Sequence, residues 1–311
     1  MKISIVLGTR PEIIKFSPII RECRQIGQDF FILHTGQHYS YNMDRVFFEQ
    51  LELPEAKYNL EAGSGTHAEQ TGKMLVGIEM ILLREKPDVV LVEGDTNTVL
   101  AGALAAVKLG IKIGHVEAGL RSYDRQMPEE INRIVADHCS DLLFAPTQKS
   151  RNTLLGEGVP ENKILVTGNT IVDAVYQNLD IVKKKGITHD SLRVEPRDYF
   201  LVTIHRQENV NNKERFQGIL EGLEKIHEEF GYPVLYPIHP RAKKRLKEFR
   251  FKPEGVKMMN PLDYWSFLHI ESNANLVLTD SGGVQEETCI LGVPCVTLRY
   301  NTERPETTDI G

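Results

Sequence analysis

The run Leu278-Thr279-Asp280-Ser281-Gly282-Gly283-Val284-Gln285-Glu286-Glu287 ends an apolar stretch, Leu276 to Leu278, on a Ser-Gly-Gly turn and continues with the composition of a helix. A helix N-terminus presents unpaired N–H groups and the positive end of its dipole, so a glycine-rich entry with a serine hydroxyl suits a phosphate or diphosphate. Glu287 falls one helical turn beyond Gly283 on the same face. There its carboxylate can accept two hydrogen bonds from a ribose diol. The same residues also make an ordinary strand-to-helix turn, with glycines for geometry and glutamates as helix formers. This stretch alone leaves both readings open.

Other polar groups gather where apolar runs end. Gly8-Thr9-Arg10-Pro11-Glu12 follows the first run, with Pro11 suited to a first helical turn and Lys15 one turn further in. Arg10 and Lys15 are cations of the kind a diphosphate or a developing leaving-group charge requires. Glu93-Gly94-Asp95-Thr96-Asn97 closes Val89 to Val92, His115 through Arg121 closes the next run, and Pro128-Glu129-Glu130 opens a helix downstream. Asp95 could cap a helix, and Glu129 and Glu130 could favour a helix dipole. Glu117 interrupts an apolar strand end, where burying a carboxylate is costly. Asp95, Glu117 and Glu129 together would suit proton transfer, with environment deciding which is acid and which is base. His205 leads the polar run Arg206-Gln207-Glu208-Asn209, which favours a phosphate contact over a core histidine, and His239 repeats the strand-end position. No metal-ligand spacing is present and no GxGxxG follows a strand, so neither a metal nor a dinucleotide cofactor is expected.

These groups need a scaffold of strand ends. Candidate strands are Ile3 to Leu7, Phe30 to His34, Asp88 to Glu93, Ile111 to Val116, Asp141 to Ala145 and Ile164 to Thr167. Between them, helical spacing appears at Ile13, Phe16, Ile20; at Val99, Ala103, Leu104, Val107; and at Ile131, Ile134, Val135, His138. Such βαβα alternation makes a parallel sheet covered by helices on both faces. A helix over Ile171 to Val182 gives way to a polar, aperiodic segment from Lys183 to Arg197 that reads as a linker. Alternation resumes with strands at Tyr199 to Ile204, Val234 to Ile238, Val256 to Met259, Leu276 to Thr279 and Cys295 to Leu298. The expectation is α/β: two doubly wound Rossmann-like domains, 1–185 carrying the carboxylates and 186–311 carrying the nucleotide turn. Ligands in such sheets bind at carboxyl ends of strands, which places the active site in the interdomain cleft.

Composition is that of an ordinary globular chain of 311 residues, 41% hydrophobic and 26% charged. The net charge of -6 leads to an expectation of no basic patch and no nucleic-acid partner. No apolar run approaches a membrane span and no secretory leader is legible, so a cytoplasmic location is expected. Cys23, Cys139, Cys289 and Cys295 lack CxxC spacing and read as buried thiols in a reducing compartment.

With these residues assembled, the chain resembles the non-hydrolysing UDP-N-acetylglucosamine 2-epimerases. The strings are GTRPEIIKFSP, TGQH, EGDTNT, HVEAGLRS, MPEEINR, THRQEN, DSGGVQEE and Asn301-Thr302-Glu303-Arg304-Pro305-Glu306, in order along almost the whole chain. The resemblance implies a GT-B-like fold and interconversion of UDP-GlcNAc and UDP-ManNAc through 2-acetamidoglucal, without metal or nicotinamide. It implies Arg10, Lys15, Asp95, Glu117, Glu129 and His205 for the catalytic centre, and Phe267, Ser281, Gly282, Gly283, Glu287 and Arg304 for UDP. Bacterial relatives are activated by UDP-GlcNAc at a second site, and on that likeness Gln37, His38, Arg206 and Glu208 are expected to border the sugar site. The Tyr39 to Met43 segment departs from the pattern common in bacterial members, which puts that second site in doubt. Relatives continue past the position of Gly311, so the second domain is expected to lack its last elements. A homodimer is the expected assembly. The competing functions are a hydrolysing 2-epimerase, a GT-B glycosyltransferase and a non-catalytic UDP-sugar sensor; product identification after incubation with UDP-GlcNAc separates them.

Overall fold

A computed structural model describes residues 1–37, 41–188, 194–300 and 307. The chain forms two compact units, Met1–Ala174 and Val175–Gly311, divided within a helix whose end is where the linker was expected. The first unit runs β1 (Lys2–Leu7), α1 (Arg10–Gln25), β2 (Asp29–His34), α2 (Tyr41–Gln50), β3 (Tyr58–Asn59), α3 (His67–Glu85), β4 (Val89–Glu93) and α4 (Asn97–Lys108). It continues with β5 (Lys112–Val116), α5 (Pro128–Cys139), β6 (Leu142–Ala145), α6 (Gln148–Gly156), a 3-10 turn (Glu161–Lys163) and β7 (Ile164–Val166), and α7 (Thr170–Lys185) runs from it into the second unit. Lys183 to Lys185, read as linker, thus belong to the helix: its last turn tolerates lysines because they favour the negative dipole end. The second unit contains β8 (Phe200–Thr203), α8 (Gln207–Val210), α9 (Lys213–Phe230), β9 (Val234–Pro237), α10 (Pro240–Phe249), β10 (Val256–Met259), α11 (Tyr264–Ser272), β11 (Leu276–Thr279), α12 (Gly282–Leu291) and β12 (Cys295–Thr297).

Both sheets are parallel, in the orders β3-β2-β1-β4-β5-β6-β7 and β10-β9-β8-β11-β12. Strands such as Val89-Val90-Leu91-Val92 are buried throughout because helices cover such sheets, so their sequences are continuously apolar. In the first sheet the order reverses between β1 and β4, and in the second between β8 and β11. At these switch points the connections leave toward opposite sides, and the strand ends there are open to a ligand. This brings Gly8 to Glu12, Glu93 to Asn97 and Glu117 to Arg121 onto three neighbouring strand ends, and His205 beside Ser281 onto two.

Local signals explain the helix starts. Thr9 and Glu12 form a capping box on α1, with Pro11 in its first turn, and Thr66 and Glu69 form another on α3. The core of the second unit packs Phe216, Leu220 and Leu223 of α9 against Val202, Val234 and Tyr236. Each such side chain contributes about 1.5–3 kcal/mol on full burial.

Three expectations are corrected. On α5 the apolar Ile131, Ile134 and Val135 are only half-buried, while Glu130, Asn132, Arg133, Ala136 and Asp137 turn inward. A polar face can be buried here because its atoms find partners on the neighbouring strand-end loops. Cys289 is exposed and Cys139 and Cys295 are partly so; Cys23 alone of the four is buried. The net charge conceals a local excess of cations: α10 carries Arg241, Lys243, Lys244, Arg245 and Lys247, with Arg250 at its end, and buries only Ala242 and Leu246. Net charge averages over the chain, whereas helical periodicity collects charge on one face. Among the described residues, no helix is long and apolar enough to cross a membrane.

Candidate active site

In the first unit the centre is Lys15. It lies in the second turn of α1, buried, and its ammonium bonds Glu117 Oε2 and stands 3.3 Å from Glu93 Oε1. Glu93 ends β4 and Glu117 follows β5, so the sheet register sets them side by side. Two buried carboxyls facing one ammonium retain one proton between them. Burial pushes Glu93 well above its ordinary range, against the opposing pull of Lys15 and with a further push from its hydrogen bond to Glu117. Glu93 therefore holds the proton and Glu117 the charge. Glu117 also adopts a left-handed backbone (φ 67°), a conformation that costs a non-glycine residue about 1–3 kcal/mol. Two residues on, Gly119 has φ 82°, and a Cβ there would meet the Ser150 carbonyl oxygen at 2.5 Å. Only glycine fits that turn.

Glu12 lies beside this cluster and is fully buried. Its Oε2 accepts from the backbone N–H groups of Gly8 and Thr9 (both 2.7 Å) and from the Thr9 hydroxyl (3.0 Å), and its Oε1 from the Thr96 hydroxyl (2.5 Å). Burial raises its pKa to about 7 even though these bonds oppose the shift. The carboxylate ties the loop after β1 to the loop after β4.

Asp95 receives a bond from Arg133 Nη2, and its carbonyl accepts from Asn132 Nδ2 at 2.9 Å. Asp95 and Glu129 line a cavity of about 270 Å³ with Gln37, His67, Asn97 and Asn132. Of the carboxylates expected to converge, Asp95 and Glu129 share this cavity, and Glu117 pairs instead with Lys15 and Glu93. Glu130 is structural: it accepts from the N–H groups of Ser122 and Tyr123, both at 2.9 Å. Gln37 is buried, its amide oxygen accepting from Thr98 N–H (3.1 Å) and Oγ1 (2.8 Å). The Arg10 side chain is exposed and lies over the Phe47 ring at 4.0 Å.

In the second unit the organising residue is Asp280, which is fully buried at the end of β11. It accepts from the N–H groups of His205 and Arg206 and from Asn209 Nδ2, and it lies 2.9 Å from His205 Nδ1. Burial alone would raise this carboxyl; the bonds from His205, Asn209 and Arg206 outweigh it and hold Asp280 below its ordinary value. His205 is thereby oriented with its other ring nitrogen directed away from Asp280, and its side chain stays half-exposed. Arg206 Nε donates to the Asp280 carbonyl at 2.8 Å and its guanidinium stands 3.6 Å from Glu208.

Ser281 caps α12, its hydroxyl accepting from Val284 N–H at 3.4 Å. A Cβ on Gly283 would meet only the Ser281 hydroxyl, at 3.8 Å, so the helix entrance stands open. Glu287 is buried one turn further in and accepts from the Tyr264 hydroxyl at 2.9 Å. Behind it Glu271 is completely buried with no hydrogen bond to either oxygen. Burial, and then the charge of Glu287, push its pKa well above the usual range. Phe267 on α11 is partly buried against the Leu201 and Val277 cluster. His38 and Arg304 lie outside the described residues.

Glu93, Glu12 and Asp280 escaped the reading of the sequence as site residues. Glu93 carried the same signal as Glu117, an acid closing an apolar strand. Glu12 resembled a helix-dipole residue, and Asp280 was absorbed into the turn it precedes. Among the described residues, no three His, Cys, Asp or Glu side chains group to hold a metal ion.

This arrangement has close relatives. The family model for UDP-N-acetylglucosamine 2-epimerase matches residues 21–311. A UDP-N-acetylglucosamine 2-epimerase of Methanocaldococcus jannaschii is 60% identical, over 100% of this chain and 87% of its own length. The crystal structure of that organism's UDP-GlcNAc 2-epimerase in complex with UDP-GlcNAc and UDP superposes with a TM-score of 0.91, covering 99% of this chain and 87% of its own. A UDP-2,3-diacetamido-2,3-dideoxy-D-glucuronate 2-epimerase of Pseudomonas aeruginosa is 41% identical, over 100% of this chain and 87% of its own. The α/β, doubly wound, GT-B-like fold class is thus shared with proteins that act on nucleotide sugars.

Proposed function

Since the chain belongs to the UDP-N-acetylglucosamine 2-epimerase family, we propose that it interconverts UDP-N-acetylglucosamine and UDP-N-acetylmannosamine without hydrolysing the nucleotide sugar. The observation that carries this reading is the buried Glu117 carboxylate at a strand end, bonded to Lys15 beside Glu93. The C2 proton of the sugar is barely acidic. As the C1–O bond breaks and its electron pair leaves on UDP, oxocarbenium character at C1 makes that proton far more acidic. A carboxylate takes it, the C1–C2 double bond forms, and 2-acetamidoglucal and UDP result. Return of a proton to the opposite face of C2, with UDP oxygen rebonding C1, gives the epimer. The sequence of steps is redox-neutral, and the chain's own groups carry its protons.

Glu117, Asp95 and Glu129 serve the proton steps in this proposal. Arg10, His205 and the α12 entrance at Ser281-Gly282-Gly283 take the diphosphate and Glu287 the ribose, with Phe267 and Arg304 as further contacts to UDP. An imidazole oriented by Asp280 and a bare helix entrance suit the negative charge that departure of UDP develops. In D2O, UDP-N-acetylhexosamine recovered after incubation should carry deuterium at C2. Epimer formed with its C2 protium retained would overturn the elimination route, and free N-acetylmannosamine as the product would mark the hydrolysing reaction. Offering UDP-2,3-diacetamido-2,3-dideoxy-glucuronate in parallel tests the second substrate class, suggested by the Pseudomonas relative. The higher identity to the Methanocaldococcus enzyme favours UDP-GlcNAc.

A homodimer is part of the same proposal. Val76, Met80 and Leu83 recur on one face of α3 and are 58%, 60% and 56% exposed. An apolar stripe of that kind is suited to burial against a second copy. Sedimentation equilibrium should give twice the chain mass, and Met80→Glu should lower it to one; a monomeric wild-type protein would remove the dimer.

A further inference from the structure

His115, on β5, is completely buried. Its Nδ1 lies 2.7 Å from Asp137 Oδ1 and its Nε2 lies 2.8 Å from the Gly94 carbonyl oxygen. A carbonyl oxygen only accepts, so Nε2 bears a proton. Asp137 Oδ2 is bonded by Arg121 Nη2 at 2.7 Å and by Gly119 N–H at 3.2 Å, which keeps this carboxyl ionised. A second acceptor therefore faces Nδ1. Both ring nitrogens donate, and the ring is an imidazolium. Burial is the largest influence and would strip its charge, but the charge and bond of Asp137, the Gly94 carbonyl and the charge of Glu117 together outweigh it and raise the pKa.

The partners of this ring lie in the two turns that carry the reacting acids. Gly94, at φ 80°, immediately precedes Asp95. Gly119, held by Asp137, closes the left-handed turn that begins at Glu117. Arg121 continues the network outward through a paired contact with Glu157, at 2.8 and 2.6 Å. We propose that His115 is a positioning residue carried as a buried cation: with Asp137 it clamps the turns presenting Asp95 and Glu117. The charged groups around His115 are Asp137 from α5 and, through Asp137, Arg121, whereas Glu117 pairs with Lys15 from α1 beside Glu93 from β4. The catalytic half of this inference rests on the proposed epimerisation. The charge on the ring does not.

Two measurements test it. In protein labelled with 15N-histidine, the His115 ring, assigned by its loss in His115→Asn, should show two protonated nitrogens at about pH 7.5, above the ordinary histidine pKa. One bare nitrogen there would overturn the buried cation. In Asp137→Asn the amide can donate to Nδ1 while Nε2–H still reaches Gly94, so the bonds survive and the charge goes. The ring should then read as neutral. With neutral bonds in place of charge-assisted ones, the C2 exchange rate at saturating substrate should fall by about tenfold or more while UDP affinity holds. A neutral ring with an unchanged exchange rate would overturn the positioning role. Wild-type protein that exchanges no C2 proton would instead count against the epimerase reading, while the nitrogen spectrum still decides the charge.

Discussion

Replacing Glu117 by glutamine should lower turnover by about 10²–10⁴-fold, the usual weight of a positioned acid or base, with UDP affinity nearly unchanged. The fold should tolerate the change. Glu117 is ionised because Lys15 bonds it while Glu93 keeps the proton. When the charge at position 117 goes, the ammonium still faces Glu93 at 3.3 Å. Glu93 then loses both the hydrogen bond and the charge that raise its pKa, and it can ionise in turn. One buried cation is again matched by one anion, so no unpaired charge is left behind. Rates of C2 deuterium exchange, set beside UDP titration by calorimetry, make the check. Near-normal turnover would reduce Glu117 to a structural partner of Lys15. Equal loss of UDP binding would point to a damaged fold.

Glu287→Gln should weaken UMP, UDP and UDP-GlcNAc alike, since all three share the ribose. A hydrogen bond to a charged acceptor contributes about 1.5–3 kcal/mol, which corresponds to roughly ten- to 150-fold in affinity. The glutamine oxygen still accepts from Tyr264, so the local packing survives. The variant should also be the more stable protein at alkaline pH. Glu271 is raised above its unfolded value of 4.5 by burial and by the charge of Glu287. A carboxyl whose folded pKa is raised binds its proton more tightly in the native state, so it destabilises the fold progressively as pH climbs above 4.5. Removing the Glu287 charge relieves part of that cost. Thermal midpoints of variant and wild type should therefore separate at pH 8, in the variant's favour, and converge toward pH 4. Weakening confined to sugar-bearing ligands would refute the ribose assignment, and a lower midpoint at pH 8 would refute the repulsion.

Much of this protein was legible in its residues. Alternation of short apolar runs with helical spacing sets out both parallel sheets, because strand and helix periods are local properties of a chain. Polar groups at the ends of those runs are marked for the open edge of a sheet, so Glu117, Asp95 and the Ser281 turn could be singled out. Tertiary structure decided the partners. Lys15 and Glu117 are 102 positions apart, and only the adjacency of β1, β4 and β5 makes them an ion pair with Glu93 as its proton holder. The spacing on α5 marked Ile131 and Ile134 for the interior, yet the helix buries Arg133 and Asp137, because Asp95 and His115 on neighbouring elements satisfy them. Periodicity records which residues share a face. Which face turns inward, and which carboxyl keeps its proton there, depends on the charges and donors that packing brings from elsewhere in the chain.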